Sequence, residues 1–150
     1  MTGEQIHATC VSVDGQGVIL RGPSGSGKSD LALRLIDQGG MLIADDRVDL
    51  VTNGSQLVAT SPPEITGLLE VRGVGIIRLN ALHEITIHLI VDLVEPHHVP
   101  RLPEVASMAL MGVAIRYLQL NAFEASTPAK IRLALGAGQD AMVEPTWPKH

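Results

Sequence analysis

Gly22-Pro23-Ser24-Gly25-Ser26-Gly27-Lys28-Ser29 is the stretch on which the reading of this chain turns. It satisfies G-x-x-x-x-G-K-[ST] at every defined position. Strand formers lead in (Gly17 to Arg21, GVILR) and a helical stretch leads out (Lys28 to Gln38). That strand–loop–helix context gives the pattern its physical content. Glycines let the main chain turn with its N–H groups inward, which makes an anion-binding concavity. The helix N-terminus behind it adds positive partial charge. Gly22 to Ser29 are therefore expected to hold the phosphates of a nucleotide, ATP above all. Lys28 should reach the β- and γ-phosphates, with the Ser29 hydroxyl on magnesium.

Composition narrows the partners. The chain has 150 residues, 45 % hydrophobic, but its aromatics are Tyr117, Phe123 and Trp147 alone. The core must be aliphatic, and aromatic stacking on bases is not a binding mode this composition offers. The net charge of −5 without a long basic block argues against nucleic acid. A single cysteine, Cys10, forms no internal disulfide and suits a reducing cytoplasm. It lies in an apolar stretch and reads as packing. No basic-then-apolar leader opens the chain, and no apolar run approaches the length of a membrane span. One domain over residues 1–150 is expected, with its core at about 6–135 and a frayed tail at 144–150.

Outward from the loop, Ile6 to Val13 reads as one strand and Asp14 to Gly17 as the turn that follows. Helix 28–38 carries Leu31, Leu35 and Ile36 on one face, and Gly39-Gly40 stops it. Met41 to Ala44 is a short strand ending at Asp45-Asp46. Val48 to Val51 and Gln56 to Thr60 flank Asn53-Gly54, a strong hairpin signal. Glu84 to Leu93 alternates as a strand, Glu104 to Met111 reads as a short helix, and Gly112 to Leu120 as another strand. Ser126-Thr127-Pro128 opens a helix over Ala129 to Leu135. Strands outnumber helices and tight turns join many of them. The fold class is α/β, a single P-loop domain with a mixed, largely antiparallel sheet.

A phosphate loop only holds the donor; transfer also needs a metal handle and a group that takes the acceptor's proton. Asp45 and Asp46 stand at a strand's carboxyl end, where α/β sheets bind ligands. Adjacent residues on extended backbone point to opposite sides, so one of the two is expected to face the phosphates. Glu70, between Leu69 and Val71, is a candidate magnesium ligand, the alternative being an ion pair with Arg72. Asp92, at the end of Leu89-Ile90-Val91, competes as a second metal carboxylate or as an outward-facing residue of its strand.

These residues together resemble a known family. GPSGSGKS, LIADDRV (Leu42 to Val48), LLEVRGVGIIRL (Leu68 to Leu79) and His7 ahead of the loop are similar to the catalytic domain of bacterial HPr(Ser) kinase/phosphorylase. The likeness spans about Ile6 to Leu135. It implies a phosphoenolpyruvate-carboxykinase-like fold and an ATP- and magnesium-dependent kinase acting on a serine of an HPr-like phosphocarrier protein of a phosphotransferase system. It further implies Asp45 as general base, Asp46 as its acidic neighbour on the metal side, and Glu70 and Ser29 as magnesium ligands. His7 would lie near the transferred phosphate, and Arg72 would be needed for transfer. A cytoplasmic homo-oligomer, a hexamer, is implied as well; the moderately apolar stretch Ala106 to Ile115 is what the sequence itself offers for it.

The chain departs from the family twice. It begins almost at the catalytic domain, where full-length members carry a further N-terminal one. Where members that perform phosphorolysis have V-R-P-G-R-N, it has Leu120-Asn121-Ala122-Phe123-Glu124-Ala125-Ser126-Thr127-Pro128, without arginine. An anionic phosphate nucleophile would lack its clamp. Kinase chemistry is expected, with phosphorolysis in question. A small-molecule kinase with the same loop and a non-enzymatic nucleotide sensor stand as the alternatives.

Overall fold

The computed structural model describes residues 3–137. Its strands are β1 (Gly3–His7), β2 (Thr9–Val13), β3 (Gln16–Arg21), β4 (Met41–Ala44), β5 (Arg47–Asn53), β6 (Gln56–Thr60), β7 (Leu68–Val71), β8 (Gly75–Arg78), β9 (Glu84–Leu93), β10 (Ala106–Leu110) and β11 (Val113–Leu120). Two helices, α1 (Lys28–Asp37) and α2 (Thr127–Ala137), complete it with single 3-10 turns at Pro63–Ile65 and Pro96–His98.

Alternation along the central strands builds two apolar layers. Val18 and Leu20 of β3, with Leu89 and Val91 of β9 and Val11 and Val13 of β2, face one side and pack on Leu31 and Leu35 of α1 and Ile131 of α2. Cys10, Ile19 and Ile90 face the other side, against Val48, Leu50 and Leu57 of β5 and β6. The ten-residue β9 makes this possible. Its first half pairs with β6 and its second with β3 and β11, so the sheet curls back over itself. The core is aliphatic, as the shortage of aromatics requires. Cys10 is fully buried in it, and burial pushes its thiol far above the ordinary range, so it is packing and not a nucleophile.

Among the described strands the ladders β3–β9 and β9–β11 are parallel and every other ladder is antiparallel. The mixed, mainly antiparallel α/β sheet expected from the sequence is what forms. Its direction matters for the site. β4 is antiparallel to β2, and β2 to β3, so β4 runs with β3, β9 and β11. The carboxyl ends Arg21, Ala44, Leu93 and Leu120 therefore share one edge of the sheet. From that edge emerge the Gly22–Gly27 loop, the Asp45-Asp46 pair and the loop that begins at Asn121.

Three sequence expectations change. Ile6 to Val13 is two strands, because the chain changes partners at Ala8: β1 pairs with β5, and β2 with β3 and β4. The Ala8 N–H donates to the Asp46 carbonyl at that break (3.1 Å). Glu104 to Met111 is not a helix; Ala106–Leu110 forms β10, paired with β11. Met111 and Gly112, both at positive φ, turn the chain there, and a two-residue turn of that kind with an available neighbouring strand outweighs weak helix propensity. The second helix starts two residues early, at Thr127. The expected frayed tail, 144–150, lies outside the described residues.

Candidate functional site

The Gly22–Ser29 loop closes on itself through Lys28. The residue is 8 % exposed, and its ammonium donates to the carbonyls of Gly22 (2.6 Å) and Pro23 (3.2 Å). Gly27 occupies the residue before α1 with φ of 96°, a left-handed backbone that favours glycine. A Cβ at 27 would also lie 2.6 Å from Ala122 and 3.0 Å from the Phe123 ring. The Ser26 hydroxyl is buried within the loop, and among the described groups it has no partner. It is a donor that no described protein group uses.

Beside the loop lies Asp45, also 8 % exposed. Its Oδ1 accepts from Ser29 Oγ (2.7 Å) and Thr9 Oγ1 (2.9 Å), and its Oδ2 from the Glu70 N–H (3.2 Å). One carboxylate thus ties together β2, α1, the end of β4 and β7. Asp46 turns to a different partner, on a backbone that is left-handed (φ 73°) rather than the extended one that the expectation of opposite sides assumed. Aspartate tolerates that conformation better than most residues. Its Oδ1 meets His7 Nε2 at 2.7 Å, and the pair is open to solvent, 56 % and 66 % exposed for His7 and Asp46.

A cleft of about 450 Å³ joins these groups. Thr9, Ser24, Gly25, Gly27, Lys28, Ser29, Asp30, Asp45, Asp46, Glu70 and Arg72 line it, with Leu33, Val71 and Phe123. Of the residues singled out in the sequence, the loop, both aspartates, Glu70 and Arg72 come together. His7 joins through Asp46 rather than by lining the cleft. The Glu70–Arg72 ion pair is not among the ion pairs of the described residues. Thr9 and Phe123 were not foreseen. Thr9 sits two positions after His7, on the face that strand alternation gives both, and the chain changes partners at Ala8 between them. Phe123 lines the cleft although aromatics are scarce in the chain.

Asp92 is engaged elsewhere. Arg21 donates to it in a fork, Nε to Oδ1 at 2.7 Å and a terminal nitrogen to Oδ2 at 3.0 Å, and the Tyr117 hydroxyl donates to Oδ2 at 3.0 Å. Burial, then the bond to Asp92, push the Tyr117 phenol up, so it remains a donor. This half-buried network lies across β3, β9 and β11, and Asp92 does not line the cleft. Asp92→Ala should cost about 1–3 kcal/mol of stability by removing the acceptor that Arg21 and Tyr117 share, with ADP affinity unchanged. Urea unfolding and nucleotide titration test the two halves separately; weaker magnesium-dependent ADP binding would restore Asp92 as a metal carboxylate.

A family model described as HPr Serine kinase C-terminal domain matches residues 1–132. The chain belongs to this family. Within the HPr serine kinase C-terminal domain family, it is 48 % identical over 79 residues to the HPr kinase/phosphorylase of Clostridium acetobutylicum, covering 53 % of this chain and 26 % of that protein. To the HPr kinase/phosphorylase of Clostridium novyi it is 44 % identical over 96 residues, covering 59 % and 31 %. The chain thus matches about a quarter to a third of the length of these curated relatives. The solved HPr(Ser) kinase/phosphatase from Coxiella burnetii superposes with a TM-score of 0.79 at 27 % identity, over 89 % of this chain and 88 % of that one. No helix among the described residues is long and apolar enough to cross a membrane.

Proposed function

We propose that this chain is the catalytic domain of an ATP- and magnesium-dependent protein serine kinase whose acceptor is a small HPr-like phosphocarrier protein of a phosphotransferase system. The observation that carries this reading is the convergence of Lys28, Ser29–Asp45, Asp46–His7, Glu70 and Arg72 on one cleft from four separate stretches of chain. A protein that merely sensed nucleotide would need the loop but not the carboxylates. The sheet's curl and the parallel carboxyl ends support a phosphoenolpyruvate-carboxykinase-like variant of the P-loop fold. A cytoplasmic homo-oligomer of six belongs to the same proposal.

The donor set suits magnesium. Among the described residues no three His, Cys, Asp or Glu side chains form a metal cage. Magnesium is commonly held by one or two carboxylates plus phosphate oxygens and water. Ser29 and Glu70 would hold it here, with Asp45 fixing the Ser29 hydroxyl. When bound, the ion neutralises charge that develops on the β- and γ-phosphate oxygens. Lys28 exchanges its bonds to Gly22 and Pro23 for the same oxygens, and the inward main-chain amides and Ser26 hydroxyl add donors.

The two aspartates divide the remaining work. Asp45 already accepts from three donors and is nearly inaccessible. Three of the roughly four acceptor positions of its carboxylate are in use, and little of the residue is open to an incoming hydroxyl. Asp46 is open to solvent at the mouth and is held by His7. We therefore assign the proton acceptor to Asp46 and the metal-side scaffold to Asp45, the reverse of the roles the resemblance implied. As the acceptor serine oxygen bonds to the γ-phosphorus, its proton passes to Asp46, and the bond to the β–γ bridging oxygen breaks to release ADP. Arg72, at the rim, is placed to meet phosphate or carrier.

Phosphorolysis lacks a clamp in this reading, because the Asn121–Ser126 loop carries no arginine. The test is to incubate the purified chain with magnesium ATP and a panel of HPr-like carriers, followed by mass spectrometry. Phosphoserine on a carrier is the expected product. ATP turnover driven by metabolites with the carriers untouched would favour a small-molecule kinase, and nucleotide binding without turnover a sensor.

A further inference from the structure

The strand order puts the acidic groups and an aromatic on opposite flanks of the phosphate loop. β3, which feeds the loop, has β2 and then β4 on one side, with Asp45 and Asp46 at the end of β4. On the other side come β9 and then β11, whose end leads to Phe123. Neighbouring strands are about 4.8 Å apart, so each flank lies roughly 10 Å from the loop strand. If the terminal phosphate faces the carboxylates, the remainder of a nucleotide extends toward Phe123.

Phe123 is suited to receive it. The ring is 63 % exposed, yet it lines the cleft and abuts Gly27 of the phosphate loop. Its backbone is fixed rather than loose. Asn121 Nδ2 donates to the Val94 carbonyl (2.9 Å), and Asn121 Oδ1 accepts from the Phe123 N–H (3.0 Å). Arg34, from the helix that follows the loop, donates to the carbonyls of Ala122 and Glu124 on either side. A large apolar ring held in water by this scaffold has a free face, beside which Leu33 adds a second apolar surface to the cleft.

We propose that Phe123 is the platform on which the nucleobase stacks, a contact of base to aromatic face that accompanies the phosphate contacts of the loop. The assignment rests on the nucleotide-binding reading above and adds to it the site of the base. It locates affinity for the nucleoside in a residue outside the phosphate motif, and it uses no base-edge hydrogen bond.

The test is a calorimetric titration of the whole chain, its Phe123→Ala variant and its Phe123→Tyr variant, each with magnesium ADP and with magnesium tripolyphosphate. Phe123→Ala should weaken ADP about tenfold, within the range found for removing a stacked aromatic. It should leave tripolyphosphate within about twofold, since that probe has no base to stack. Phe123→Tyr should restore ADP binding, because the ring face is kept. Equal loss for both probes, or unchanged ADP affinity with a raised KM for a carrier protein, would overturn the assignment while leaving the loop's role intact. If the unmodified chain binds neither probe, the nucleotide reading falls and this assignment with it.

Discussion

Asp46→Asn will slow phosphorylation of the acceptor serine by about 10²- to 10⁴-fold, the usual worth of a positioned proton acceptor, and will leave ADP affinity nearly unchanged. The substitution isolates the proton. Asparagine tolerates the left-handed backbone that Asp46 adopts, so the turn between β4 and β5 keeps its shape. Its side-chain oxygen can still face His7 Nε2. What disappears is a carboxylate able to take the hydroxyl proton. The exposed position of Asp46 makes the cost in stability small, so a purified, folded variant is expected.

The same change at Asp45 should behave differently. An amide there places a donor group among the hydroxyls of Thr9 and Ser29 and the Glu70 N–H, all of which now donate to it. Asp45→Asn should lower the thermal midpoint along with activity, because an unsatisfied buried donor costs about 1–3 kcal/mol. Rates and melting curves for the two variants side by side separate the roles. A fully active Asp46→Asn beside a folded but inactive Asp45→Asn would return the proton acceptor to Asp45.

Much of this site was legible because its parts are short-range patterns. Eight consecutive residues define the Gly22–Ser29 loop, and the Asp45-Asp46 pair follows a four-residue strand. Glu70 stood out because a glutamate among aliphatics has little reason to be there. What the sequence hid were consequences of curvature. The break at Ala8 sends β1 and β2 to different parts of the sheet, and no residue type announces it; Ala8 is as good in a strand as out of one. The β10 strand was hidden for a related reason. Its five residues suit a helix as well as an edge strand, and only the turn at Met111-Gly112 and the presence of β11 decide between them. Phe123 was missed because composition averages over position: three aromatics in a chain say little about one aromatic beside a phosphate loop. The difference in burial between Asp45 and Asp46 is likewise something that adjacency in sequence does not encode.

Lys28→Met will reduce kcat by at least about 10²- to 10³-fold, the loss that follows removal of one preorganised donor to developing charge. Methionine is a demanding choice because it keeps the length and most of the apolar stem while deleting the ammonium. Lys28 is nearly buried, and its charge contacts main-chain carbonyls of Gly22 and Pro23 rather than a carboxylate. Those carbonyls lose donors in the variant, at about 1–3 kcal/mol, against which apolar burial of the methionine offsets part. Stability should therefore fall by less than that while transfer drops by orders of magnitude, a disproportion that a merely structural lysine would not produce. ADP affinity should also fall, since in the proposed complex the ammonium would reach the β- as well as the γ-phosphate. Lys28→Arg should not rescue transfer: a planar guanidinium presents its donors in a fixed fork, where the loop surrounds a compact point charge. Single-turnover measurement of γ-phosphoryl transfer, with thermal melts of the same preparations, tests all of this. A methionine variant that keeps more than a tenth of the parent's rate would mean that the loop's amides alone stabilise the transferring phosphoryl group.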